Sequence, residues 1–250
     1  MRFRAAWVFL FGTRLFAQAI GVTASPQRTA VSIPFIGCES SGQSDVLEAP
    51  KGTSRSVAVS PKDAQALAYY RSADGIGLLA PRGWYCEGVS GSGGAALFLS
   101  PKPIDLDRSR PGWKGFEGPA IEVNHMNNES SGVYEIAEVI ARVFPAYRAF
   151  AVRVWKDIDL PFPSGPYPND ILAYKNKTVV EYNTPARKEG LGTRFSWLKK
   201  NDTPVAGAAI LIGDPPDVLL LSVRLPPDLA RLTPMIVRDV ERAAADRARN

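Results

Sequence analysis

Two runs near the C-terminus constrain this chain more than any other feature. Val205 to Ile212 and Val218 to Leu225 are its most hydrophobic segments, each strand-length and apolar at successive positions. Gly213-Asp-Pro-Pro-Asp217 between them is too short for a crossover helix. The two runs should therefore pair antiparallel.

Material to pack against them comes from amphipathic helices. After Ser130 and Ser131, the residues Val133, Ile136, Ala137, Ile140 and Phe144 fall on one helical stripe, with Glu135 in the first turn and Glu138 four residues before Arg142. Pro145 ends or kinks that helix; 146–156 continues as a second one, though Val152, Val154 and Trp155 also suit a strand. A last helix starts at about Thr233, with Leu232, Ile236, Val240 and Ala243 facing inward.

Upstream, Ser60, Pro61 and Asp63 mark a helix start, and Ala64, Leu67, Ala68 and Arg71 extend its stripe towards a left-handed stop at Gly75. Ile76 to Ala80 reads as a strand covered on both sides, Pro81 to Gly83 as a turn, and Trp84-Tyr85-Cys86 as a core wall of two rings and a sulfur. Val31 to Ile36 is a strand that Pro34 assigns to an edge, and Gly37 to Ser44 is a polar loop carrying Cys38. Short extended pieces fill Val46 to Val59.

Gly88 to Gly94 precedes a strand, Ala95 to Leu99, and lacks the Lys-Ser/Thr ending of a phosphate loop, so it reads as a hairpin. Pro101 to Pro119 is a long surface excursion holding Trp113 and Phe116. Ala120 to Asn124 is a strand with His125 just past its end. Ile171 to Tyr174 and Thr178 to Tyr182 form a hairpin, and Arg194 to Leu198 a short strand. This order predicts an α+β fold, a mainly antiparallel sheet with about three to four helices packed against it. One domain spans 20–250, its only seam the proline-rich 160–168.

Residues 1–19 read as a signal peptide. Met1 to Arg4 is cationic, Ala5 to Gly12 is apolar, and Ala17-Gln-Ala19 has small residues where signal peptidase cuts. The apolar run is about half a membrane span and Arg14 interrupts it, so no transmembrane span remains after cleavage. Export to the periplasm or beyond is the expectation. Its loss takes the net charge from +5 to +2, because it holds three arginines and no acid. That small excess, without a basic stripe, argues against nucleic acid.

An exported chain with two cysteines has one intramolecular pair available, Cys38 with Cys86. Closing that loop is worth about 4 kcal/mol on the chain-entropy account. A lipid anchor at Cys38 conflicts with the distance from the apolar run, which should abut it. With both cysteines used and His125 the sole histidine, no metal set is recognisable, and no cofactor motif appears. Asn128, Asn176 and Asn201 head N-x-S/T sequons, which would mark exposed loops in a eukaryotic secretory route.

Five segments resemble an uncharacterised family of bacterial exported proteins: Ile33 to Cys38, Gly77 to Cys86, Gly165 to Asp170, Glu189 to Thr193 and Leu221 to Pro227. The resemblance implies export and the cysteine pairing, and carries no activity or ligand.

The leading functional expectation is a non-enzymatic envelope or secreted protein that binds a small ligand or an envelope protein through loops around Trp113, Tyr167 and Gly190. A hydrolase acting on an envelope polymer is the first alternative, with Glu87, Asp170 and Glu181 as acids and His125 assisting. An inhibitor of a secreted enzyme is the second.

Overall fold

The structure, a computed structural model, describes residues 29–105, 114–156, 158, 160–163 and 165–249. The signal-peptide segment and Trp113 lie outside the described residues. The elements, in chain order, are β1 (Thr29–Cys38), β2 (Ser40–Ser41), β3 (Val46–Leu47), β4 (Ser54–Val59), α1 (Pro61–Ala66), β5 (Leu67–Ser72), β6 (Gly77–Pro81), β7 (Tyr85–Gly91), β8 (Gly94–Ser100) and β9 (Ala120–Met126). There follow α2 (Gly132–Val143), α3 (Arg148–Trp155), β10 (Ile171–Tyr174), β11 (Val179–Thr184), α4 (Leu191–Arg194), β12 (Val205–Ile212), β13 (Asp217–Arg224) and α5 (Thr233–Arg247).

β12 and β13 pair antiparallel at the heart of a nine-stranded sheet ordered β10-β11-β12-β13-β9-β8-β7-β2-β3. Their side chains alternate between two cores. Ala208, Ile210, Leu219, Leu221 and Val223 face one; Ala209, Leu211, Val218 and Leu220 face the other. The first core is closed by a second sheet, ordered β4-β1-β5-β6, and by Ile236, Val240 and Ala244 of α5. The second is closed by Ile136, Ala137 and Ile140 of α2, Phe144, and Ala151 of α3.

The class is α+β and the ladders are mainly antiparallel, the exceptions being β1 with β5 and β2 with β7. Two details differ from expectation. There are two sheets where one was expected, and five α-helices among the described residues instead of three to four. α4 has only 4 residues, so it leaves no apolar stripe for a periodicity argument to find, and Arg194 to Leu198 is not a strand.

The stripe through Leu67 and Arg71 is also overturned. α1 begins as expected, with Ser60 Oγ accepting the Asp63 N–H at 3.2 Å, but ends at Ala66. Arg82 donates to the carbonyls of Ala64 and Leu67, and Leu67–Ser72 becomes a strand between β1 and β6. Tyr70 fixes it there, donating to Pro81 O at 2.9 Å and accepting the Trp84 N–H at 3.0 Å. Trp84 is buried while Tyr85 is half exposed, so the expected wall holds one ring.

β1 is an inner strand of the small sheet, yet Pro34 itself pairs on one side only. β1 pairs with β4 through Pro34 and with β5 from Phe35, so the missing N–H falls where the strand changes neighbours. Cys38 ends β1 instead of lying in a loop, and its sulfur bonds Cys86 of β7 at 2.04 Å, joining the two sheets. That bond leaves no thiol for lipidation. Among the described residues no helix is long and apolar enough to cross a membrane.

Candidate functional site

The acidic candidates and the histidine do not converge. Glu87 on β7 and Glu181 on β11 are separated by five strand spacings, about 24 Å. They also face opposite sides: Glu87 is in register with Phe98 and Glu122, whereas Glu181 opposes Ala208 of the first core. Burial pushes the Glu87 carboxyl above its ordinary range, and a 3.4 Å hydrogen bond from Ser41 works against that shift. His125 lies within β9, not beyond it, with Nε2 3.1 Å from Asp217 Oδ2. Asp217 also accepts the Asn128 N–H at 3.0 Å, so the pair ties β9 to the start of β13.

Asp170 holds a knot of backbone. One carboxylate oxygen accepts the Leu191 N–H at 2.8 Å at the start of α4, and the other accepts the Thr184 hydroxyl at 2.6 Å. Thr184 in turn accepts the Gly192 N–H. Burial raises the Asp170 pKa and these donors oppose the rise. Gly190 belongs to the same knot, because a Cβ there would collide with Asp170 Oδ1.

Tyr167 is likewise structural. It is buried in the second core with the Arg142 guanidinium 4.4 Å from its ring centroid, and burial pushes its phenol up to about 12. The expected aromatic anchor is therefore covered. Among the described residues no group of three or more His, Cys, Asp or Glu side chains is arranged to hold a metal ion.

Glu181 lines a concavity suited to a ligand. α5 packs on β12, β13 and β6, so β10 and β11 project beyond it and leave a groove of about 520 Å³. Its floor is open because Ala173 and Ala206, which share the face of Glu181, are small. Gly207 is required by close packing: a Cβ would strike Leu221 O and the ring of Tyr182. That ring is fixed by its hydroxyl, which donates to Leu221 O at 2.8 Å.

Charged groups meet over this floor. Lys175 Nζ lies 3.0 Å from Glu181 Oε1, and α5 contributes Arg238 and Glu241 from the facing wall. Glu241 is pushed above the usual carboxylate range by burial first and by the charge of Glu181 second, while Lys175 and Arg238 oppose the shift. The two carboxyls are within hydrogen-bonding reach, and Glu241 Oε1 is buried with no donor among the described residues.

Of this site the sequence exposed only Glu181. Lys175, Arg238 and Glu241 were not singled out: the first lies between two expected strands and the other two in the expected last helix. Their three-residue spacing on one helical face was the available signal, but nothing local says which strands that face meets. No protein-family model matches the chain, and neither a curated protein nor a solved structure does.

Proposed function

We propose that the protein is an exported, non-enzymatic binding protein of the periplasm or extracellular space, and that its ligand occupies the groove between β10, β11 and α5. The observation that carries this reading is the meeting of Glu181, Glu241, Lys175 and Arg238 over an apolar floor of small side chains. Ligand sites combine an apolar surface with a few convergent polar groups in this manner. The Cys38–Cys86 bond suits an oxidising compartment.

A polymer hydrolase built on Glu87, His125, Asp170 and Glu181 gains no support, because Glu87, His125 and Glu181 stand on three different strands, Glu87 on the opposite face from Glu181, and the Asp170 carboxylate is taken up by Leu191 and Thr184. Two-carboxylate glycoside hydrolysis needs side chains about 5–10 Å apart across one bond. Glu181 and Glu241 are instead near enough to share a proton.

Native mass spectrometry on protein exported by a bacterial host, purified without reductant and incubated with envelope extract, tests the placement. Ala173 is exposed on the groove floor, so Ala173→Trp fills the groove at little cost to the core. A retained mass in the wild type that Ala173→Trp loses, with an unchanged melting temperature, is the expected result. The same mass retained by both proteins, or no added mass on either, would count against the groove.

A further inference from the structure

We infer that the occupant of this groove is an extended cationic peptide segment, which adds to the free edge of β10 and lays a lysine or arginine side chain over Ala173 towards Glu181 and Glu241. The inference rests on the groove being the ligand site and names the class of ligand.

The edge provides the first reason. β10 ends the large sheet, so one row of its N–H and C=O groups has no strand partner among the described residues. Proteins usually blunt such edges with charge, proline, a bulge or a covering element. β10 reads Ile-Leu-Ala-Tyr, with Ile171 and Tyr174 exposed at 67% and 56%. Other edges are managed: β3 is only 2 residues long, β4 carries Arg55 between serines, and Leu79 of β6 gives its N–H to Asp239.

The register provides the second. Ile171, Ala173 and Lys175 line the groove, and Ala173 lies directly opposite Glu181 in the β10–β11 ladder. Its methyl leaves a lane between two longer side chains. A strand added to β10 would lie about 10 Å from β11, two strand spacings, a gap that the stem of a lysine or arginine and that of Glu181 span together.

Charge supplies the third. Two carboxyl groups side by side, one oxygen of which lacks a donor, need either a shared proton or a multivalent donor. A lysine ammonium brings three N–H groups and an arginine five. Lys175 serves Glu181 from a half-exposed position and leaves Glu241 Oε1 unserved. An alternate side chain of the peptide would rest on exposed Ile171, while backbone pairing with β10 supplies register.

The test uses fluorescein-labelled acetyl-Val-Thr-Lys-Thr-Val-amide, the same peptide with glutamine for lysine, and a version N-methylated along one edge, each titrated into the full exported protein at pH 7.5. Backbone amide spectra of ¹⁵N-labelled protein locate the site. The lysine peptide should bind about tenfold more tightly than the glutamine one. Glu241→Gln and Glu181→Gln should each erase that difference at unchanged melting temperature, and Lys175→Ala should strengthen binding by freeing Glu181. N-methylation should abolish binding.

Equal affinity for the lysine and glutamine peptides, or for the N-methylated peptide and its parent, overturns the inference. n-Butylamine separates the two levels of failure. If it shifts groove amides while the peptides bind no better than it does, the groove remains a ligand site and the peptide assignment falls. If neither amine nor peptide shifts those amides, the peptide assignment falls, and a groove also silent to envelope extract removes the ligand site with it.

Discussion

The Asp239 carboxylate on α5 accepts the backbone N–H of Leu79 at 3.0 Å, closing the outer edge of β6. Its other oxygen lies 3.7 Å from Arg55 on β4, so a single helical side chain bridges both edge strands of the small sheet. Asp239 is 2% exposed, and burial holds its pKa above the ordinary value against the pull of Arg55, the Leu79 N–H and Arg242.

A carboxyl whose pKa is raised by folding binds its proton more tightly in the native state, so its contribution to stability falls as pH rises from about 4, the unfolded value, through the raised folded value. Asp239→Asn keeps an acceptor for Leu79 and loses the charge. Its stability relative to wild type should therefore climb with pH over that interval, and urea unfolding at a series of pH values reads the difference. Asp239→Ala also removes the acceptor, and should be less stable than Asp239→Asn by about 1–3 kcal/mol at every pH. A pH-independent gap between wild type and Asp239→Asn would show that the carboxyl is not buried as described.

Arg224 fastens the two loops beside β9. It is 2% exposed and donates to Lys199 O at 2.5 Å, with Phe116 O and Gly118 O each at 3.5 Å. Burial brings its pKa down to about 10, so it stays charged at neutral pH. Arg224→Ala should destabilise the fold by about 3 kcal/mol, since three carbonyls lose their shared donor at once and a buried side chain is lost. Hydrogen exchange should speed at the Phe116 and Lys199 amides, which link the same loops, while β12 and β13 amides keep their relative protection.

The large elements were legible because their apolar patterns are local. Val205–Ile212, Asp217–Arg224 and the stripe of α2 need no distant partner to be recognised. Leu67–Ser72 was not. Leu67 to Tyr70 is apolar or aromatic at successive positions, which erases the alternation of a strand, and of the partners that make it one, Gly77–Pro81 follows closely but Phe35–Cys38 is distant in sequence. The site divides in the same way. Glu181 is visible as an acid on a strand, whereas Glu241 matters only because α5 lies beside β12. Tyr167 misleads because the residue that covers it, Arg142, comes from another element.

Asp170 and Gly190, read from sequence as catalytic and binding residues, make a structural prediction instead. Asp170→Ala frees the Leu191 N–H and the Thr184 hydroxyl together and should cost about 2 kcal/mol in urea unfolding. Gly190→Ala should cost a similar amount by forcing a methyl against the same carboxylate. Neither change should alter the affinity of a groove ligand in protein that remains folded. A selective loss of ligand at unchanged stability would return Asp170 to the functional site.

The Cys38–Cys86 bond offers the sharpest separation of stability from binding. It joins residues 48 apart in sequence and links β1 of the small sheet to β7 of the large one. On the chain-entropy account its main effect is to restrict the unfolded chain, so the native groove, built from β10, β11, β12 and α5, should not sense its removal directly. The double substitution Cys38→Ser/Cys86→Ser should lower stability by about 4 kcal/mol in urea, while peptide affinity below the transition stays at the wild-type value. A loss under 1 kcal/mol would mean that the reduced unfolded chain is already compact. Unchanged stability with weakened binding would instead tie the cross-link to the geometry of the groove, through the sheet that separates them.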